Sequence, residues 1–142
     1  MRYFLEISYN GSTFHGWQFQ PNVISVQETI ENALKTILKE EIKIVGAGRT
    51  DTGVHAKYMC AHFDYNNKFE LSQLKINLNS FLNQQIYIKD IYRVNDEVHA
   101  RFSAISREYE YYISLAKDVF SYKTSHFIHQ DLNIEKMNQA IS

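Results

Sequence analysis

Among its 142 residues the chain has one cysteine, Cys60, and one proline, Pro21. A lone thiol excludes any disulfide within the chain, as in proteins kept in a reducing compartment. There is no Pro- or Ser-rich linker, internal repeat or low-complexity tract. No apolar run approaches the roughly 18 residues that cross a bilayer, so no membrane partner is expected. The opening run MRYFLEISYNG alternates and lacks the apolar block of a signal peptide, which makes a cytoplasmic location the expectation. Excess charge is lacking too: the formal net charge is −1. No global field draws nucleic acid, and such a partner would need a local basic surface.

What is present is apolar and aromatic: 44% of residues are hydrophobic and 14% are Phe, Trp or Tyr. That composition excludes a disordered tail and supplies the core of a folded domain. Alternation predicts a strand over residues 2–9, with Tyr3, Leu5, Ile7 and Tyr9 on one face. After the turn YNGSTFHGWQFQP, Ser25 and Glu28 read as a capping box. The helix they open carries Val26, Ile30, Ala33, Leu34, Ile37 and Leu38 on one stripe, with Glu31 and Lys35 expected to pair on the wet side. Short strands are expected at 42–45 and 58–65, a second helix through Leu71, Leu74, Leu78, Phe81 and Leu82, and a strand at 86–94. The run REYEYYISL, residues 107–115, alternates as a fifth strand.

The order β-α-β-β-α-β is that of an α+β, ferredoxin-like (RRM-like) fold, an antiparallel sheet with helices on one face and the other open to a ligand. Residues 1–115 would form this domain. Residues 116–142 would be a linker and the first helix of a second domain, because Ile134, Met137 and Ile141 keep helical spacing until the chain stops without a cap. An unfinished helix suggests part of something longer.

Three of the five glycines fall in GAGRTDTGVHA, residues 46–56. A Walker loop needs Gly-Lys-Ser/Thr, but Arg49 follows Gly48; a dinucleotide loop needs glycine where Asp51 stands, and should open a helix. Both phosphate-loop readings fail. Two readings of Asp51 stay open on the residues alone. It could bond backbone amides in a tight turn. It could instead be a nucleophile or general base, with Arg49 holding the carboxylate ionised when water is excluded. Magnesium is disfavoured because no second acid is near.

No metal set is expected from the histidines. His126 and His129 lack a nearby acid or cysteine, Cys60 and His62 on one strand face read as packing, and His15, His55 and His99 fall in loops. On the 107–115 strand, Arg107, Tyr109, Tyr111 and Ile113 share a face. Arg and Tyr there are the parts of a base-stacking platform, although Tyr is also common in half-buried strands and the RNP1 pattern is not matched.

Together, SYNGSTFHGWQFQPN, SVQETIENAL, GAGRTDTGVHA and HARFSAISREYEYYI closely resemble, in order and spacing, the bacterial tRNA pseudouridine synthase A family. The resemblance covers nearly the whole chain and implies the pseudouridine synthase fold. It implies an isomerase that turns uridine into pseudouridine in the anticodon arm of tRNA, in the cytoplasm, with no cofactor and no metal. Asp51 matches the family's catalytic aspartate. Arg49 matches the arginine that fills the space left by the everted base, and Tyr109 the tyrosine that packs on the target uracil. Arg101 and Arg107 match a run expected to contact RNA or brace the loop. Thr52 stands where many relatives carry alanine. Family members are homodimers with two similar halves, and this chain resembles the first half plus the opening helix of the second. The competing class is a truncated, non-catalytic RNA-binding ferredoxin-like module; a structural domain without a ligand is a third.

Overall fold

The computed structural model describes residues 1–141, excepting the side chain of Ile141. Their contacts divide into two compact units, Met1–Ile105 and the residues from Ser106 onward.

The first unit holds strands β1 (Arg2–Tyr9), β2 (Val45–Gly46), β3 (Ala56–Asp64) and β4 (Ile86–Val94), and helices α1 (Val26–Leu38) and α2 (Leu71–Phe81). The sheet order is β2-β3-β1-β4, every pairing antiparallel. This is the ferredoxin-like arrangement of an α+β domain, each helix crossing between strands that have a third between them. Tyr3, Leu5, Ile7 and Tyr9 are buried in one core with Ile30, Leu34, Leu74 and Leu78 of the helices. Burying the apolar face of β1 contributes about 1.5–3 kcal/mol for each large side chain. The opposite face carries Phe4 and Glu6, paired in register with His62 and Cys60 of β3.

Glu31 departs from expectation. It is only 7% exposed, not on the wet side, and does not pair with Lys35. Its carboxylate accepts from Gln27 Nε2 at 3.1 Å, the Ile44 N–H at 3.0 Å and Lys43 Nζ at 2.8 Å. Lys35 pairs instead with Glu41. Because the Ile44 amide donates to Glu31 rather than to a strand, the expected strand at 42–45 is reduced to Val45–Gly46. Glu31→Ala should therefore strand a buried N–H and cost about 2–3 kcal/mol in urea denaturation. No loss would refute the tie.

Buried His62 lies on the open face, where its Nδ1 accepts the Ala100 N–H at 3.2 Å and its ring meets His99 edge-on at 4.6 Å. Burial first, then the nearby Arg2 and His99 charges, push its pKa down from 6.5 to about 4, while Asp64 opposes them. Folding thus favours neutral His62. Its contribution is complete above pH 6.5 and is lost as the pH falls towards about 4. At about 1.4 kcal/mol per pH unit this is at most ~3.5 kcal/mol. The melting temperature should fall across that window, and His62→Gln should flatten the fall.

The second unit contains the two-residue strands β5 (Ile113–Ser114) and β6 (His126–Phe127), paired in parallel, and helix α3 (Ile134–Ile141). The expected strand at 107–115 is thus confined to Ile113–Ser114. Residues 107–112 carry no strand assignment, although the Tyr112 carbonyl accepts the His126 N–H at 2.7 Å, and Tyr109 and Tyr111 are 65% and 88% exposed. Alternation shapes a strand only where a neighbouring strand takes its hydrogen bonds and a core takes its apolar face. The two compact units divide after Ile105. Among the described residues no helix is long and apolar enough to cross a membrane.

Candidate active site

The loop between β2 and β3 carries Arg49, Thr50, Asp51, Thr52 and Gly53, and is clasped by the turn that follows β1. Four hydrogen bonds make the clasp. The Tyr9 and Thr50 hydroxyls are 2.9 Å apart, and the Trp17 N–H donates to the Thr50 carbonyl at 3.1 Å. The Gly53 N–H donates to the Phe14 carbonyl at 3.2 Å, and the Gly11 N–H to His55 Nδ1 at 3.1 Å. Tyr9, Phe14 and Trp17 are buried, so the clasping side belongs to the core. Gly16 and Trp17 are tied in turn to α1, through bonds from the Val26 and Gln27 amides to their carbonyls.

Close approach of the two segments requires glycine. A Cβ on Gly11 would lie 2.0 Å from the Val54 carbonyl oxygen, and one on Gly16 would lie 2.4 Å from that of Thr50. Gly16 also has φ +84°, a conformation costly to other residues. Gly53, inside the loop, differs: a Cβ there meets nothing within 4 Å, and its φ of +80° is what favours glycine.

Asp51 sits between the fixed points. Its carbonyl accepts the Val54 N–H at 3.2 Å, closing a turn. Its carboxylate is exposed, with no hydrogen-bond or ion-pair partner among the described residues. The tight-turn reading, in which that carboxylate caps amides, is therefore not what the structure has. Arg49 is also exposed and forms no ion pair with Asp51, contrary to the expectation that it holds the carboxylate ionised. In open water such a pair contributes only about 0–1 kcal/mol, so little favours its formation.

Arg101 stands exposed in the turn after β4, its guanidinium 5.8 Å from the centre of the Phe102 ring. That turn is fastened by Ala100 to His62, and by the Arg101 N–H to His99 Nδ1 at 3.1 Å. Arg107 and Tyr109 belong to the second unit, both exposed in a segment without regular structure. Cys60 and His62 serve packing: the thiol donates to the Tyr58 hydroxyl at 3.3 Å, and the His62 ring stacks on Phe4. Among the described residues no group of three His, Cys, Asp or Glu is placed to hold a metal ion.

Asn10, Gly11 and Gly16 lie in the turn expected after β1, and no local pattern marks Tyr9, Thr50 or Trp17 as part of the site. A signal was available in two isolated glycines set among the aromatics Tyr9, Phe14 and Trp17, since glycine marks places where backbones meet.

A family model described as tRNA pseudouridine synthase matches residues 7–103, which takes in both the clasp and the Asp51 loop. The tRNA pseudouridine synthase A of Bacteroides fragilis is 44% identical over 140 residues, covering 98% of this chain and 56% of that protein. That of Parabacteroides distasonis is 45% identical over 140 residues, with the same coverage. The tRNA pseudouridine synthase A 1 of Protochlamydia amoebophila is 46% identical over 116 residues, or 81% of this chain and 45% of that protein. The chain spans about half the length of the curated relatives it matches. By the match over its clasp, loop and sheet, the chain belongs to the tRNA pseudouridine synthase family.

Proposed function

We propose that this chain is the amino-terminal, catalytic half of an enzyme that isomerises uridine to pseudouridine in the anticodon arm of tRNA, with Asp51 as nucleophile. The observation that carries the proposal is the exposed carboxylate of Asp51, without a bond among the described residues, between backbone positions fixed on either side. A group so placed can approach a reacting carbon without first breaking a bond of its own.

The chemistry conserves atoms. A carboxylate oxygen of Asp51 attacks the target nucleotide, at C1′ of the sugar or C6 of the base, and the N1–C1′ bond breaks. The uracil turns, C5 bonds to C1′, the hydrogen on C5 leaves as a proton, N1 gains one, and Asp51 is released. Reaching the base requires everting it from its stack, at a cost of a few kcal/mol. Arg49, exposed on the same loop, would occupy the vacated space, and Tyr109 would pack on the uracil. Arg101 and Arg107 would grip phosphates, which suits a guanidinium's fork of donors. Residues 1–115 would then be the catalytic domain and 116–142 the linker and first helix of a second, in a cytoplasmic homodimer.

A non-catalytic RNA-binding module is the second reading, favoured only by the share of its relatives' length that the chain spans. Tritium at uridine C5 separates the two. The complete protein should release tritium to water from tRNA carrying [5-³H]uridine, leaving pseudouridine behind. Binding of tRNA with release no faster than background would overturn the enzyme reading.

A further inference from the structure

We infer that Tyr9 is a positioning residue for the reaction, acting on Asp51 through the hydroxyl-to-hydroxyl hydrogen bond with Thr50. The inference rests on the reading of Asp51 as nucleophile and adds a group outside the loop.

Thr50 is held at two points by residues that cannot easily move. Its hydroxyl meets that of Tyr9 at 2.9 Å, and its carbonyl takes the Trp17 N–H at 3.1 Å. Tyr9 is the last residue of β1 and is buried, its ring 6.0 Å from that of Trp17. Trp17 is buried and tied by its carbonyl to the start of α1. Asp51 follows Thr50 directly, and its side chain has no bond among the described residues to define where it points. The place of its carboxylate is thus set by the backbone on which it stands, and on the amino-terminal side that backbone is set by Thr50. Without the Tyr9 hydroxyl, the Thr50 side chain loses its only hydrogen bond among the described residues, and the approach of Asp51 to a reacting carbon loosens.

A displacement on the order of 1 Å at a reacting group can cost about a hundredfold in rate. Burial pushes the pKa of Tyr9 above its ordinary value, although the Thr50 bond opposes the rise, so the hydroxyl stays protonated through the neutral range. The effect should therefore be the same from pH 6 to 8.

The test uses the complete protein and single-turnover tritium release from saturating [5-³H]uridine tRNA. Tyr9→Phe and Thr50→Val should each slow turnover by about ten- to a hundredfold, with tRNA affinity changed by less than about twofold. The double variant should be no slower than the slower single one, because both remove the same bond. Thr50→Ser, which keeps the hydroxyl, should recover at least about tenfold over Thr50→Val. Fluorescence of Trp17, the chain's one tryptophan, reports whether each variant is folded. Half-buried Thr50 is the safer site should Tyr9→Phe fail to fold.

Folded Tyr9→Phe and Thr50→Val proteins that turn over at the normal rate, beside an inactive Asp51→Ala, would overturn the positioning role and leave the nucleophile in place. Slowing explained wholly by weaker tRNA binding would also overturn it. A fully active Asp51→Ala would remove the nucleophile reading and Tyr9's role with it.

Discussion

Asp51→Ala in the complete protein is expected to lower pseudouridine formation by about four to six orders of magnitude, the loss seen when a nucleophile is deleted. Nothing else should change much. The carboxylate is exposed and makes no hydrogen bond or ion pair among the described residues, so its removal breaks no contact of the fold. Stability should stay within about 0.5 kcal/mol, as for other surface substitutions without special contacts. Affinity for tRNA should hold or tighten slightly, because a negative charge facing phosphates is removed. The check is tritium release beside a melting curve and a tRNA titration at fixed salt. A variant that binds, folds and still turns over would mean that another group attacks the nucleotide.

Gly16→Ala is the second large effect, and it acts on the fold first. The φ of +84° costs an alanine about 1–2 kcal/mol. Its Cβ would also stand 2.4 Å from the Thr50 carbonyl oxygen, and forcing such a contact typically costs about 1–3 kcal/mol. Together these make a loss of about 2–5 kcal/mol. Part of the strain can be relieved by pushing Thr50 away, so the surviving folded protein should also react slowly. Gly53→Ala is the matched control. It shares the positive φ but enters open space, so it should cost only the strain of that φ, about 1–2 kcal/mol, without the clash. Urea unfolding followed by Trp17 fluorescence compares them. Equal losses at the two glycines would show that the turn and the loop are not packed as tightly as described.

The parts of the fold legible in the sequence were those whose signal is local. Residues 2–9 alternate and 86–94 are rich in Ile, Tyr and Val, and they are β1 and β4 to the residue. Ser25 announces α1, and its side chain accepts the Glu28 N–H. What was missed depends on partners distant along the chain. Glu31 sits where helical spacing puts a solvated charge, but the returning segment places Lys43 and the Ile44 amide over it, and a buried carboxylate with three donors is the result. Residues 107–115 alternate as well as any strand here, yet only Ile113–Ser114 of them are drawn into a ladder. In the site, the glycine-rich loop and Asp51 stood out because glycine and charge are unusual together. Tyr9 and Thr50 did not, since a hydrogen bond between residues 41 apart leaves no periodic trace.

The most direct test of the account is a structure of the complete protein bound to an anticodon stem-loop RNA. The expected result is a uridine turned out of its stack, with a carboxylate oxygen of Asp51 about 3–3.5 Å from C1′ of its ribose or C6 of its base. A uridine everted and seated with its reacting carbons facing another side chain, while Asp51 remains in solvent, would contradict it.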